Sequence, residues 1–159
     1  MGQAVRVLIM GLPGAGKTTL AQALKPALEA EGYTVAWYNA DALRTQHNDW
    51  DFSGAGRMRQ AERMRQAADS EVCDFVLCDF VCPLLTMRFV FAPHFVVWVD
   101  TIKEGRFEST NQIFNPPKSW DVRVDSQDTE RWLPVILERL VAARKHCLIQ
   151  ELTHSSNHQ

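Results

Sequence analysis

The run Gly11-Leu12-Pro13-Gly14-Ala15-Gly16-Lys17-Thr18 sets glycines first and sixth in an octapeptide that closes on a lysine and a hydroxyl. Those residue types suit one task, the clasping of a polyphosphate. Glycine lets the backbone turn back on itself and aim consecutive N–H groups at phosphate oxygens, and a helix beginning there adds the positive end of its dipole. Lys17 is then expected on the outer phosphates and Thr18 on Mg²⁺, so that Gly11, Gly14, Ala15, Gly16, Lys17, Thr18 and Thr19 form the nucleotide-binding set. A ligand-free turn between strand and helix is the plainer reading, but the full pattern stands in the context it requires. Residues 4–10, apolar and rich in valine and isoleucine, precede it, and the helical stretch 18–31 follows. The pattern points to a purine nucleotide, with ATP and Mg²⁺ as the expected cofactors.

Further residues could act on such a nucleotide. Asp41 and Arg44 follow the second expected strand, and in an open parallel sheet the carboxyl ends of strands face the ligand crevice. An acid there can orient an acceptor hydroxyl and take its proton; the competing role for Asp41 is the N-cap of a short helix. Asp79 lies within the apolar run 75–81, not cleanly at its end. It reads either as a Mg²⁺ ligand acting through water or as a buried, paired carboxylate. Arg57, Arg59, Arg63 and Arg65 crowd one helical stretch whose single acid there is Glu62, just downstream of Trp50 and Phe52. A solvated face is one reading of that run, and a patch for an anionic, ring-bearing acceptor is the other. Arg106 precedes a segment with a Pro116-Pro117 pair and is expected at the start of a mobile lid. There it either stabilises charge on the transferred group or sits plainly on the surface.

The elements that must position these residues alternate. Strands are expected at 5–10, 33–38, 75–81, 95–99 and 120–124, and the first two with the helix between them make a right-handed βαβ unit. Pro26 should kink the first helix, and Gly32 should end it in a left-handed conformation. Pro83 suits the first turn of a helix over 84–91, and Thr101 with Glu104 has the reciprocal capping spacing for another over 101–109. The last helix, 127–147, carries Asp128 and Glu130 at its start and Arg144 and Lys145 at its end, as the helix dipole favours. Residues 1–153 read as a single domain and 154–159 as a disordered tail.

Composition narrows the classes. A chain of 159 residues, 46% apolar and 23% charged, can build a real core, and its formal net charge of −2 gives no global pull on nucleic acid or anionic membrane. The four cysteines form no CxxC pair and read as small buried hydrophobes in a reducing compartment, with a strand-bound metal cluster left open. No apolar run is long enough to span a bilayer and the start lacks a secretion signal, so a cytoplasmic location is expected.

Gly11 to Thr19, the hexapeptide Asn39-Ala40-Asp41-Ala42-Leu43-Arg44, Phe52-Ser53 followed by Arg57, and Val99-Asp100-Thr101 resemble adenylylsulfate kinases, in that order and at similar spacing over most of residues 4–125. The resemblance implies an α/β P-loop NTPase-type three-layer sandwich, with a five-stranded parallel sheet in the order 2-3-1-4-5, and ATP-dependent transfer of the γ-phosphate to a hydroxyl. It puts Asp41 in the place of the presumed base, Arg44, Arg57 and Arg63 in the places of acceptor-binding arginines, and Phe52 in that of an aromatic stacked on the acceptor's adenine.

The departures from that family bear on the acceptor. Asn39 stands for the first acid of the Asp-Gly-Asp motif, Ala40 for its glycine and Ala42 for the asparagine that follows it. Ser109-Thr110 replaces an arginine-aspartate pair, and the lid is shortened to 111–120. The Arg-Phe-Glu-Ser-Thr-Asn segment from Arg106, the Asn-Pro-Pro loop and the Trp-Asp-Val-Arg-Val strand resemble instead a bacteriophage branch of these kinases, which phosphorylates 5-hydroxymethyluracil within DNA. That acceptor is the favoured expectation, with Trp50, Phe52, Phe114 or Trp120 stacking on a base turned out of the duplex. Adenylylsulfate or another small hydroxyl compound is the alternative, and a nucleotide-binding switch with no acceptor is the reading from a different class.

Overall fold

Every residue of β1 (Val5–Met10) is buried in the computed structural model, which describes residues 3–105 and 108–156. A strand can be covered on both faces only in the middle of a layered sheet. The parallel strands run in the order β2-β3-β1-β4-β5, with β2 at Val35–Asn39, β3 at Phe75–Asp79, β4 at Phe95–Val99 and β5 at Val122–Val124. This is the order expected. Val5, Val7 and Ile9 pack with Leu20, Leu24 and Leu28 of α1 (Lys17–Ala30) and with Ile136 and Leu140 of α6 (Thr129–Ser156). Leu8 and Met10 turn the other way, onto Ala61 and Met64 of α3 (Gly54–Asp69) and Met87 and Phe91 of α4 (Leu85–Phe91). Burying side chains of this size contributes about 1.5–3 kcal/mol each. The loop that leaves β1 is thus anchored to the best-packed strand of the sheet.

Several boundaries differ from the sequence reading. Helix α1 runs through Pro26 to Ala30, and Gly32 takes the left-handed conformation at a φ of 95°. Strand β3 ends at Asp79 and not at residue 81, the chain turning at Cys82 with a φ of 47°. Leu84 is the N-cap of α4, so Pro83 lies ahead of the helix and not in its first turn. The capping box at Thr101 does not form. The Thr101 hydroxyl turns instead to the loop after β1, donating to the Ala15 carbonyl at 2.6 Å and accepting from the Gln127 amide at 3.4 Å; residues 101–105 are not helical, and the segment's helix is α5 (Glu108–Ile113). Helix α6 runs on to Ser156, because no glycine or proline follows Pro134 to stop it. Residues 154–156, expected in a disordered tail, are therefore helical, and 157–159 lie outside the described residues.

All four cysteines are free: Cys78 and Cys82 are buried, Cys73 and Cys147 half-buried. Among the described residues no cluster of His, Cys, Asp and Glu could hold a metal ion by itself, and no helix is long and apolar enough to cross a membrane.

Candidate active site

The loop between β1 and α1 is shaped by contacts on its outer side. A Cβ on Gly11 would collide with the Val99 carbonyl oxygen, so the chain can pass that close to β4 only as glycine. Thr101 donates to Ala15 O, and the Gln127 side-chain amide donates to Gly14 O and Ala15 O at 3.4 and 3.3 Å. Within the loop the Ala15 N–H donates to the Leu12 carbonyl at 3.1 Å and closes a tight turn. Gly16 caps α1 at a φ of 111° and brings no side-chain cap, so the first amides of α1 stay open to an anion. Lys17 opens that helix and lies buried along the loop, its Nζ donating to Leu12 O at 3.0 Å.

Register explains the next layer. Asn39 is directly paired with Asp79, and Asp79 with Ile9, so three neighbouring strands end side by side. Strand alternation puts Phe75, Leu77 and Asp79 on the α1 face, where the first two join the core and the third emerges at its edge. Asp79 is 1% exposed; its Oδ2 accepts from Trp37 Nε1 and its Oδ1 from Asn39 Nδ2, both at 2.7 Å. Burial pushes its carboxyl up from the usual range, and these two hydrogen bonds and the nearby Lys17 ammonium oppose the shift. The sequence left open a metal ligand or a buried paired acid. The partners here are neutral donors, and Thr18 is reached through Asn39, whose Nδ2 lies 3.3 Å from Thr18 Oγ1.

Asp41 stands on α2 (Ala40–His47), just beyond β2. The N-cap of that helix is Asn39 and not Asp41: the Asn39 Oδ1 accepts from the Ala42 N–H at 3.0 Å. The Asp41 side chain is thereby released to the cavity beside it, where among the described residues it has no hydrogen-bond partner. The cavity holds about 660 Å³ and runs from Lys17 and Thr18 past Asp41 to Arg44, Trp50, Phe52, Arg57 and Gln60. A smaller one of about 370 Å³ opens on the other side of the loop, between Gly14, Thr101, Gln127 and Trp132.

The far wall is built on Phe52. Arg44 lies over its ring at 4.4 Å from the centroid and Arg57 at 5.4 Å, and both arginines are buried. Arg44 Nη1 donates to the carbonyls of Asp49 and Asp51, and Arg57 Nε to that of Phe52. Burial lowers both guanidinium pKa values, Asp49 opposing the shift at Arg44. The other arginines of α3 are engaged elsewhere. Arg59 pairs with Asp49 and Asp51, Arg63 with Asp49 at 2.7 Å, and Arg65 with Asp69. The four-arginine patch read from the sequence is thus largely neutralised, by Asp49 and Asp51 from the preceding turn and by Asp69 one turn along the same helix.

Trp50 and Phe52 form the rim, 49% and 52% exposed, with ring centroids 6.5 Å apart. Phe114 packs under the Arg88 guanidinium and against the core, and Trp120 lies half-exposed against Trp98, so neither aromatic lines the cavity. Thr110 of α5 reaches the cavity wall from the expected lid. Arg106 lies outside the described residues. Sequence reasoning gave no role to Gln60, which is 2% exposed and whose Nε2 donates to Ala40 O at 3.0 Å. Its signal was a polar residue on the same helical stripe as Ala61, Met64 and Ala68.

A parallel sheet in this order, with a glycine loop leading from its central strand into a helix, defines a P-loop nucleotide-binding fold. The chain belongs to the adenylylsulphate kinase family, whose model matches residues 3–95. A probable adenylyl-sulfate kinase of Aeropyrum pernix is 37% identical over 87 residues, covering 52% of this chain; the match spans 46%, about half, of that relative's length. Among solved structures, the APS kinase of Mycobacterium tuberculosis in complex with AMPPNP and APS superposes with a TM-score of 0.76 at 21% identity, over 88% of this chain and 99% of that one. A gluconokinase of Sinorhizobium meliloti gives 0.66 at 15% identity, over 94% and 99%. The two superpositions establish the shared fold.

Proposed function

We propose that the protein is an ATP-dependent kinase that moves the γ-phosphate to the hydroxyl of a small, anionic, ring-bearing acceptor, adenylylsulfate being the first candidate. The observation that carries this reading is the position of Asp41, which faces the same cavity as Lys17 and Thr18 with Arg44, Arg57 and Phe52 across from it. Family membership supports it, as does the complex of the Mycobacterium tuberculosis APS kinase with AMPPNP and APS.

The chemistry follows from charge and placement. The loop amides and Lys17 would hold the triphosphate and neutralise the charge that builds on its outer oxygens. Thr18 and Asp79 offer hard oxygen donors at the loop mouth, the sparse set that suits a Mg²⁺ held mainly by phosphates and water. A Mg²⁺ held there would supply positive charge against the charge that builds on the phosphate oxygens. Asp41 accepts the proton of the acceptor hydroxyl as its oxygen bonds to the γ-phosphorus; the bond from that phosphorus to the bridging oxygen breaks, and ADP leaves. Phe52 stacks on the acceptor's ring, while Arg44 and Arg57 attract its anionic group.

A second reading keeps the chemistry and changes the acceptor to 5-hydroxymethyluracil in DNA. The exposed Trp50 and Phe52 at an open rim favour it, as do the departures at Asn39, Ala40 and Ala42. Against it stand the pairings of Arg59, Arg63 and Arg65, which leave few cations for a phosphate backbone. Incubation with γ-labelled ATP and either adenylylsulfate or modified DNA separates the readings. Label on adenylylsulfate is expected. Label on DNA, with binding that falls steeply as salt rises, selects the second acceptor. Free phosphate alone contradicts the kinase and leaves a nucleotide-dependent switch.

A further inference from the structure

Asn39 touches both halves of the cavity at once. Its Nδ2 donates to Asp79 Oδ1 at 2.7 Å and lies 3.3 Å from Thr18 Oγ1, while its Oδ1 accepts the Ala42 N–H at 3.0 Å and so caps α2. The nitrogen must face Asp79 and the oxygen Ala42, because the reverse would set two acceptors and two donors against each other. This orientation uses both ends of a carboxamide. Glutamine alone carries the same carboxamide, and it is one methylene longer.

We propose that Asn39 is a positioning residue which fixes the distance between the nucleotide side of the cavity and the acid on the acceptor side. The inference rests on the kinase reading above. On one side the amide holds Asp79 and Thr18 together, the two groups able to serve a nucleotide-bound cation. On the other it starts α2, and Asp41 is that helix's second residue. Displacement of either partner is therefore transmitted to the other through one planar group. Trp37, two residues earlier on the same face of β2, holds the second oxygen of Asp79 and leaves the carboxylate little freedom to compensate. A side chain that only capped α2 would have no reason to engage Asp79 and Thr18.

Replacement by serine separates the two duties. Serine caps a helix as well as asparagine but is too short to reach Asp79 from the same place, whereas alanine performs neither duty. Asn39→Ser should keep a melting temperature within a few degrees of the parent, and Asn39→Ala should melt lower. Nucleotide affinity is then measured with Mg²⁺ and with a chelator. Loss of a hydrogen-bond partner that orients a cation's ligands costs about 10–100-fold, so Asn39→Ser should lose that factor in Mg²⁺-dependent ADP affinity and almost nothing in chelator. Its turnover should fall with the acceptor KM little changed. Parental Mg²⁺-dependent affinity in a well-folded Asn39→Ser protein overturns the inference and leaves Asn39 a helix cap. A parent protein with no Mg²⁺-dependent nucleotide binding overturns the kinase reading and the inference with it.

Discussion

The phosphate loop and the arginine-bearing face of α3 are both clusters of residue types in the sequence, and the structure treats them in opposite ways. The loop's turn follows from its own residues and the strand behind it, with Gly11 against β4, Gly16 opening α1 and Lys17 lying back along the turn, while Thr101 and Gln127 brace its outer carbonyls. Along α3 the residue type decides little. Arg57 stacks on Phe52 with no acid paired to it among the described residues, whereas Arg59 and Arg63 are taken by Asp49 from the turn before the helix; only Arg65 finds its acid, Asp69, at local spacing on α3 itself. A motif whose geometry is local can be read from its spelling; a cluster whose partners come from another segment cannot.

That contrast is broken or sharpened by substitution on each side. The largest effect is expected at Lys17. Lys17→Ala removes the ammonium that would neutralise the outer phosphates and should lower transfer by about 10²–10³-fold; a rate equal to the parent's would undo the nucleotide assignment. Next comes the Phe52 wall. Arg57→Ala should raise the acceptor KM by about 10-fold or more, the loss typical of a hydrogen bond to a charged group, with nucleotide affinity unchanged. Arg65→Ala is its control, expected to shift that KM by less than about 2-fold. Equal effects at the two positions would mean that the patch acts as a whole and that the pairings are not decisive.

Smaller effects test how the wall is held. A Cβ on Gly56 would meet the Asp51 carbonyl and lie 2.6 Å from its carboxyl carbon, so Gly56→Ala should force the 49–53 turn off α3. A cost of about 1–3 kcal/mol is expected for such overpacking, read as a lower melting temperature with a raised acceptor KM; an unaltered KM would separate the turn from the site. The smallest signal is in acid. Bonds from Ser53, then from Arg59, hold the Asp51 carboxyl down at about 2, and bonds from Arg59 and from the backbone hold Asp49 lower still. Groups with depressed native pKa values stabilise fully above their ordinary values near 4 and lose that contribution as pH falls through the native ones. Trp50 fluorescence should therefore hold steady from pH 8 to 5 and change only below about 4. A change near neutrality would contradict this pairing.

Legibility in the sequence followed the same division. The phosphate loop and the location of Asp41 after β2 were readable from residues within one βαβ unit, whereas the strand order came with the resemblance to adenylylsulfate kinases and not from any local pattern. The helix expected at Thr101 failed on a contact 86 positions away, with Ala15, that no local pattern records. The sequence offers Asp41 as a cap for α2 where the structure uses Asn39, since asparagine and aspartate cap equally well and only backbone direction separates them. Phe114 and Trp120 read as available stacking platforms, and Arg88 and Trp98, from other segments, engage them instead. Asp79 looks misplaced within its strand until the turn at Cys82 shortens β3 and brings it to the edge of the cavity.

The central claim is that an acid beyond the second strand directs an alcohol at a triphosphate held by the loop beyond the first. Its most direct measurement is label transfer from γ-labelled ATP by Asp41→Asn, with nucleotide affinity determined on the same preparation. Transfer should fall by about 10²–10⁴-fold while nucleotide affinity stays within about 2-fold of the parent. Undiminished transfer would contradict the claim and return Asp41 to an ordinary residue on the first turn of a helix.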